Sequence, residues 1–313
     1  MSPTKTWQHA VAERFEQRPE RVFTRQQLAA ILEQHREAGE VPPSLTLRRF
    51  VDTFEKSGQL RDVMIISETD ALRRQRSPQP TDGTPDEEWE GYRPYRRFTW
   101  GPNASPYEVA LSLRPRSYIS HASAVFLHGL THQIVRTVYA NAEQAEKPSA
   151  TPGTLAQERI DAAFRRPPRM SQFVFVYEGT RLILVNGKQT GNLEVADIIG
   201  PDSHAYPATN IERTLIDVVV RPAYGGGVFE ILEAFRGAKD RVSIGTLLST
   251  LRRLKYVYPY HQALGFYMER AGYPASALER VTAFGASFDF YLTHQIPSPQ
   301  YDSRWRIYYP EGL

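Results

Sequence analysis

The apolar residues between positions 20 and 60 recur at the three- and four-residue spacing of helices. One helix is predicted to begin after Thr24, a residue type that favours the N-cap, and to end at Gly39. A further helix, predicted to be capped by Ser44 and closed by Gly58, places apolar residues at i, i+3, i+4 and i+7. These apolar residues are Leu47, Phe50, Val51 and Phe54.

Two strand-like runs follow, at residues 60–66 and 95–100. The stretch between them, 68–94, is rich in Pro, Asp, Glu, Arg and Gly, a composition that buries too little apolar surface to order itself. We therefore predict a mobile loop over 68–94. With the N-terminal segment, the order is helix, helix, helix, strand, loop, strand. This order predicts a winged helix-turn-helix with an enlarged wing, occupying a domain at 1–100.

The remaining residues, 101–313, are predicted to form a second, larger domain. Helices are predicted at 105–113, 120–129, 210–219, 227–235, 243–254 and 258–271. Strands are predicted at 173–177, 181–185, 288–292 and 304–309, the first two joined as a hairpin around Glu178-Gly179. Residues 140–155 are predicted to be a loop. Because both element types occur without strict alternation, the fold class is predicted to be α+β, a winged helix followed by a mixed domain.

Composition narrows the class of protein. The 313 residues include 38 Lys and Arg against 35 Asp and Glu, so the net charge of +3 is not diagnostic of a nucleic-acid partner. The chain has no cysteine, which excludes disulfides, thiolate nucleophiles and cysteine-ligated zinc. No apolar run approaches the ~20 residues that span a bilayer, and residues 1–17 lack the apolar core of a signal peptide. We expect a soluble cytoplasmic protein.

The polar face of the helix predicted behind Ser44 indicates DNA binding. Its N-terminal end presents Ser and Thr, which bond phosphates or base edges, and Arg, which bonds guanine in the major groove. The predicted contacts are Ser44, Thr46, Arg48, Arg49, Thr53 and Lys56. The alternative interpretation is a solvated helix face on which Arg48 forms an ion pair with Asp52.

The predicted wing carries two basic clusters on either side of an acidic patch at residues 86–90. Flexible arginine-rich tips follow phosphates or reach into a minor groove. The arginines predicted to contact DNA are Arg73, Arg74, Arg76, Arg96 and Arg97. Because the acidic patch opposes such binding, a plain disordered loop is an equally good interpretation of this stretch.

Three histidines are the strongest candidates for a metal site. His128 and His132 have helical spacing, but Gly129 interrupts the helix and no HExxH arrangement is present. Capping and core hydrogen bonds are therefore the expected roles of these two residues and of His121. We predict no metal.

Two other motifs also favour structural roles. The run Gly225-Gly226-Gly227 lacks the Lys-Ser/Thr of a P-loop and is interpreted as a helix entry. Arg213 and Asp217, four residues apart on an otherwise apolar helix, are expected to pair at the edge of the core. No catalytic set and no cofactor motif is found, so we predict that the protein is not an enzyme.

Four runs resemble one family. They are Ser120-His121-Ala122-Ser123-Ala124 with Leu127-His128-Gly129-Leu130-Thr131, then Glu212-Arg213-Thr214-Leu215-Ile216-Asp217, then Tyr258-Pro259-Tyr260-His261-Gln262 with Gly265-Phe266-Tyr267-Met268, and last Trp305-Arg306-Ile307-Tyr308-Tyr309-Pro310. Each is weak alone. In this order they are similar to the AbiEi family, the antitoxins and transcriptional regulators of type IV, abortive-infection toxin–antitoxin systems.

The resemblance implies two functions. The winged helix would bind inverted repeats in the promoter of its own operon and repress it, with a dimer on double-stranded DNA as one arrangement. The C-terminal domain would counteract a toxin of the nucleotidyltransferase type, by contacting it or by opposing its effect.

Two other classes of function stay open. The first is a stand-alone winged-helix regulator whose C-terminal domain binds a ligand or oligomerises. The second is an enzyme in residues 101–313 whose catalytic set the sequence does not display. A downstream reading frame encoding a nucleotidyltransferase would favour the antitoxin over both.

Overall fold

The computed structural model describes residues 6–69, 95–101, 104–133, 136–145 and 155–313. Its helices are α1 Trp7–Glu16, α2 Arg25–Glu37, α3 Leu47–Lys56, α4 Pro106–Ser112, α5 His121–Leu127, α6 Gln157–Phe164, α7 Ile211–Val220, α8 Val228–Ala238, α9 Ile244–Leu254, α10 Tyr260–Arg270 and α11 Ala275–Thr282. Its strands are β1 Val22–Phe23, β2 Leu60–Ser67, β3 Tyr95–Trp100, β4 Tyr118–Ile119, β5 Thr137–Glu143, β6 Val174–Tyr177, β7 Thr180–Gly187, β8 Val195–Ile199, β9 Ala205–Thr209, β10 Phe290–Tyr291, β11 Gln300–Asp302 and β12 Ile307–Tyr309.

The chain forms two compact units and is a mixed α+β protein. The first unit combines residues 1–115 with 173–183, and the second combines 116–172 with 184–313. The predicted division placed the boundary at 100. Residues 101–115 and the β6–β7 hairpin belong by their contacts to the N-terminal unit, a grouping that no local sequence signal marks.

The core of the first unit is aromatic. Phe15 of α1 stacks on Trp100 of β3 with ring centroids 4.4 Å apart, and Phe54 meets the same indole edge-on at 5.2 Å. Phe50 and Phe54 of α3 are fully buried, whereas Leu47 and Val51 are half-buried. The apolar face predicted for α3 is confirmed. Its predicted N-cap is wrong, because Thr46 caps the helix and Ser44 lies in the preceding turn.

The strands of the first unit lie in the order β1-β3-β2-β6-β7. Strands β2 and β3 pair antiparallel from Leu60 opposite Trp100 to Ile65 opposite Tyr95, so both predicted strands are confirmed. The β6–β7 hairpin is confirmed as well. Its turn residues Glu178 and Gly179 both have positive φ, the conformation of a type I′ turn. The predicted loop lies, from residue 70 to residue 94, outside the described residues.

The second unit carries the remainder of β7 followed by β5-β4-β9-β8, a separate three-stranded sheet β10-β12-β11, and helices α5 to α11. Its core is built mainly from α7, α8, α9 and α10. The loop predicted over 140–155 is wrong at its start, since β5 extends to Glu143. Strands β5, β8 and β9 contain Ala, Asn, Asp and Pro, which disfavour strands locally, and are formed by pairing with distant neighbours.

Two of the family-like runs meet in this core. Gly265 of α10 lies against the indole of Trp305, and a Cβ atom at residue 265 would stand 2.1 Å from ring carbon Cζ3. Trp305 is buried, and its Nε1 donates to Glu269 on the same helix. A side chain at position 265 would therefore displace a large ring that is held in place.

Replacement of Gly265 by Ala is expected to lower the free energy of unfolding by about 1–3 kcal/mol, measured by urea denaturation. The clash outweighs the ~1 kcal/mol by which Ala favours a helix over Gly. Gly237→Ala on α8 is the matched control, because its Cβ would meet Leu130 at an ordinary 3.5 Å. Equal stability of the two variants would contradict the packing of Trp305 on Gly265.

Candidate nucleic-acid interface

The polar face of α3 is the most exposed basic surface predicted from the sequence. The helix begins at Leu47, and its first turn presents Arg48 and Arg49 to solvent on the side opposite Phe50 and Phe54. The Arg48 side chain is 89% exposed, and its Nε lies 3.9 Å from Asp52 Oδ2, so the ion pair of the alternative interpretation is present but too long for a hydrogen bond. Arg49 forms no ion pair within the described residues.

The threonines of this face support the helix. The Thr46 hydroxyl accepts the backbone N–H of Arg49 at 3.3 Å, and the Thr53 hydroxyl donates to the backbone oxygen of Arg49 at 2.6 Å. Ser44 is exposed on the turn before the helix and Lys56 in its last turn. The structure therefore brings Ser44, Thr46, Arg48, Arg49, Thr53 and Lys56 onto one helix and its entry, while two of their hydroxyls already hold backbone groups.

A surface groove of about 450 Å³ runs beside this helix within the first unit. It is lined by Arg25, Leu47, Arg48, Val51, Asp52, Glu55, Arg96 and Phe98. Sequence reasoning missed Arg25, Asp52 and Glu55 as groove residues. The cap at Thr24 places Arg25 in the first turn of α2, but only the packing of α2 against α3 brings it to this groove.

The charges of the groove are partly paired. The Arg96 guanidinium donates to Asp62, and this hydrogen bond is the main cause of the raised pKa of Arg96. Partial burial raises the pKa of Glu55, with the Asp62 and Asp52 carboxylates adding to the shift. Arg96 remains 63% exposed, so one edge of its guanidinium is still open to an anion.

Arg97 does not fit its predicted role as a DNA contact. It is 8% exposed, and its guanidinium donates to the backbone oxygen of Ser112 at 2.8 Å and to the Ser112 hydroxyl at 3.0 Å. Burial lowers its pKa. Side chains alternate along a strand, so the neighbour of an exposed Arg96 necessarily faces the opposite side of the sheet. Arg73, Arg74 and Arg76 lie outside the described residues.

The motifs in the second unit hold the core together. Arg213 and Asp217 form an ion pair with Nε to Oδ1 at 2.7 Å, and at 4% and 7% exposure they lie inside the core, not at its predicted edge. His128 Nε2 donates to the backbone oxygen of Thr209 at 2.7 Å, as the expected core hydrogen bond requires. Burial lowers the pKa of His121 to about 3, and this ring contacts the Ser120 hydroxyl at 2.8 Å. The three-glycine run leads into α8, the predicted helix entry.

Across the described ranges, no three His, Asp or Glu side chains are arranged to hold a metal ion. None of the described helices combines the length and the apolar character needed to cross a membrane.

Comparison with known proteins identifies a similar fold but no protein family. No protein-family model matches the chain. No curated protein matches it either. The chain resembles the crystal structure of the RV2827C protein from Mycobacterium tuberculosis with a TM-score of 0.51 and 12% sequence identity, over 97% of this chain and 92% of that one. At this identity the likeness concerns the fold alone.

Proposed function

We propose that the protein is an antitoxin and autoregulatory DNA-binding repressor of the AbiEi type. In this proposal α1 to α3 with β2 and β3 are a winged helix that binds inverted repeats in double-stranded DNA at its own promoter. The second unit counteracts a toxin of the nucleotidyltransferase type. The proposal involves no enzymatic activity of the chain itself.

The observation that carries the DNA-binding half is the exposure of Arg48 and Arg49 at the N-terminal end of α3. Arg49 has no ion-pair partner among the described residues, and Arg48 is held only by a loose 3.9 Å pairing with Asp52, on a helix whose other face is anchored by two buried phenylalanines. A recognition helix needs this combination, because its base-reading side chains must reach into the groove while the backbone stays rigid. Arg25 and Arg96 line the groove beside this helix and add positive charge to it, next to the carboxylates of Asp52 and Glu55.

The antitoxin half is supported by the four family-like runs, whose residues are structurally linked. His128 of the first run bonds Thr209, which lies just before the second run, and Gly265 of the third run packs on Trp305 of the fourth. These contacts link the first run to the second and the third run to the fourth. They imply that the buried residues of the runs maintain the domain and that the toxin meets residues that reach the surface.

The DNA-binding half predicts steep salt dependence. Binding to DNA from upstream of its own gene, followed by gel shift, should weaken with a slope of log K against log salt near about −4 to −5, given about four to six phosphate contacts. Absence of binding at low salt, or a flat salt dependence, would contradict the proposal.

The antitoxin half is tested by co-expression with the product of the adjacent reading frame. Cells carrying the full chain should survive induction of that toxin, whereas cells carrying an empty vector should not. A chain that binds its promoter but gives no survival would be a stand-alone regulator.

A further inference from the structure

Three strands of the second unit present tyrosines side by side. Tyr291 of β10 and Tyr301 of β11 both lie in register with Tyr308 of β12, between them. Ring centroids of neighbouring tyrosines are 4.8 and 4.9 Å apart. Tyr301 is 45% exposed and the other two are half-buried. These three side chains are called the tyrosine row.

The tyrosine row is ordered before any partner arrives. Phe164 stacks on Tyr291 at 5.3 Å and extends the row at one end. The Tyr301 hydroxyl donates to Asp289 at 2.7 Å and the Tyr291 hydroxyl to Asp161 at 3.1 Å. Among the described residues, the Tyr308 hydroxyl has no partner. Binding of a partner here would cost little side-chain entropy, because the rings of this row are already held in place.

Residues 165–170, called the arginine arm, leave α6 next to this row. Arg165, Arg166 and Arg169 are exposed and form no ion pair within the described residues, and Met170 is 52% exposed. His294 Nδ1 donates to the backbone oxygen of Arg166 at 2.8 Å, and the Gln295 backbone N–H donates to the backbone oxygen of Phe164 at 2.8 Å. Pro167 and Pro168 further restrict the backbone.

The charge of this surface is positive. Both carboxylates beside the tyrosine row already accept hydrogen bonds from tyrosine hydroxyls, and Asp289 also accepts Arg306 Nε at 2.9 Å. That pairing with Arg306, followed by the Tyr301 hydrogen bond, lowers the pKa of Asp289 in spite of partial burial. The arginines of the arm are left without a counter-charge among the described residues.

The geometry favours a protein partner over single-stranded nucleic acid. Bases bind proteins by stacking on open aromatic faces. Tyr291 is stacked between Phe164 and Tyr308, and Tyr301 is tilted by 48° against Tyr308, so the row does not present a series of open parallel faces. Tyr, Met and Arg are the residue types enriched where proteins bind proteins. Unpaired arginines are best matched by carboxylates.

We propose that the tyrosine row and the arginine arm form the docking surface for an acidic patch on a protein partner. Resting on the proposed function, the partner is the cognate toxin, bound by direct contact. Arg166 and Arg169 supply the charge complementarity, and the row supplies the amphipathic centre of the interface.

The experiment uses the full chain and the purified product of the adjacent reading frame in isothermal titration calorimetry. Arg169→Glu and Tyr301→Ala should each weaken binding at least about tenfold. The matched control is Arg280→Glu on α11, an exposed arginine of the same unit with the same change in net charge. Circular dichroism melting of each variant verifies the fold. Binding of the wild type should weaken as salt is raised.

Toxin rescue in cells separates the two proposals. Rescue by the wild type, with binding lost in Arg169→Glu and kept in Arg280→Glu, would support the docking surface. Two outcomes would overturn the docking surface and leave the antitoxin function standing. In the first, the wild type rescues cells but Arg169→Glu and Tyr301→Ala bind the toxin as tightly as the wild type does. In the second, the wild type rescues cells without binding the toxin at all. Absence of rescue by the wild type would overturn the proposed function and this docking surface together. A single-stranded RNA oligonucleotide is titrated into the full chain as well, and RNA binding that Arg169→Glu and Tyr301→Ala both abolish, without toxin binding, would also overturn the docking surface.

Discussion

Replacement of Arg213 by Met should lower the free energy of unfolding by about 3–5 kcal/mol at pH 7. The Arg213 side chain donates through Nε to Asp217 and through Nη1 to the backbone oxygen of Leu193 at 3.2 Å. Methionine keeps much of the length of arginine but none of its charge. The variant would leave the Asp217 carboxylate buried without its ion-pair partner, with only the weaker electrostatic influence of Arg221 to favour its charge, which is a costly state for an ionised group in a core.

The loss of stability in Arg213→Met should be smaller at low pH than at neutral pH. Burial raises the pKa of Asp217, and Arg213 opposes that shift. Without Arg213 the folded pKa rises further above the unfolded value, so the folded variant binds a proton more readily than the unfolded chain. Its stability is therefore better preserved at low pH and is lost as pH rises through the folded pKa of Asp217. The deficit relative to wild type should be smaller at pH 5 than at pH 7.

Urea unfolding at both pH values checks this prediction. The double variant Arg213→Met/Asp217→Leu is the control, because removing both charges leaves no buried carboxylate and should recover most of the stability. A double variant as unstable as Arg213→Met at both pH values would show that lost packing, and not the stranded charge, causes the effect.

The double variant Arg48→Ala/Arg49→Ala is expected to abolish promoter repression while leaving the fold intact. Losing a groove or phosphate contact costs about 1–3 kcal/mol of binding free energy per arginine. Surface substitutions of this kind change folding stability by only about ±0.5 kcal/mol. Neither side chain contributes to the aromatic core, since both lie opposite Phe50 and Phe54.

The measurement pairs reporter repression with toxin rescue, using one variant at matched expression from an unrelated promoter. If the second unit alone protects the cell, the double variant should lose repression and keep rescue. Arg236→Ala/Arg280→Ala removes the same charge from exposed positions on α8 and α11 of the second unit and should keep repression. Retained repression by Arg48→Ala/Arg49→Ala would remove these residues from the DNA interface. Lost rescue with an intact circular dichroism spectrum would show that protection requires the first unit.

The contrast between Arg96 and Arg97 shows which part of the interface could not be predicted from the sequence, namely the face of the strand on which each side chain lies. The sequence placed both in one basic cluster, since nothing in the run Tyr95-Arg96-Arg97-Phe98 indicates which face of the strand meets solvent. The pairing of β3 with β2 decides it, and Arg97 then bonds Ser112 of α4. Arg25 illustrates the converse, because it becomes a groove residue through the packing of α2 and α3.

Local periodicity and turn residues were sufficient for the apolar face of α3, the β2–β3 pair, the β6–β7 hairpin and the pairing of Arg213 with Asp217, but not for the N-cap of α3 or for the burial of that pair. These features depend on interactions within a few residues or on a strong apolar pattern, which the chain displays directly. Other features depend on partners far apart in sequence. They are strands β5, β8 and β9, the grouping of residues 173–183 with the first unit, and the tyrosine row. Their residues have weak local preferences, so their conformation and neighbours are determined by non-local pairing and burial, which become visible only when the chain is folded.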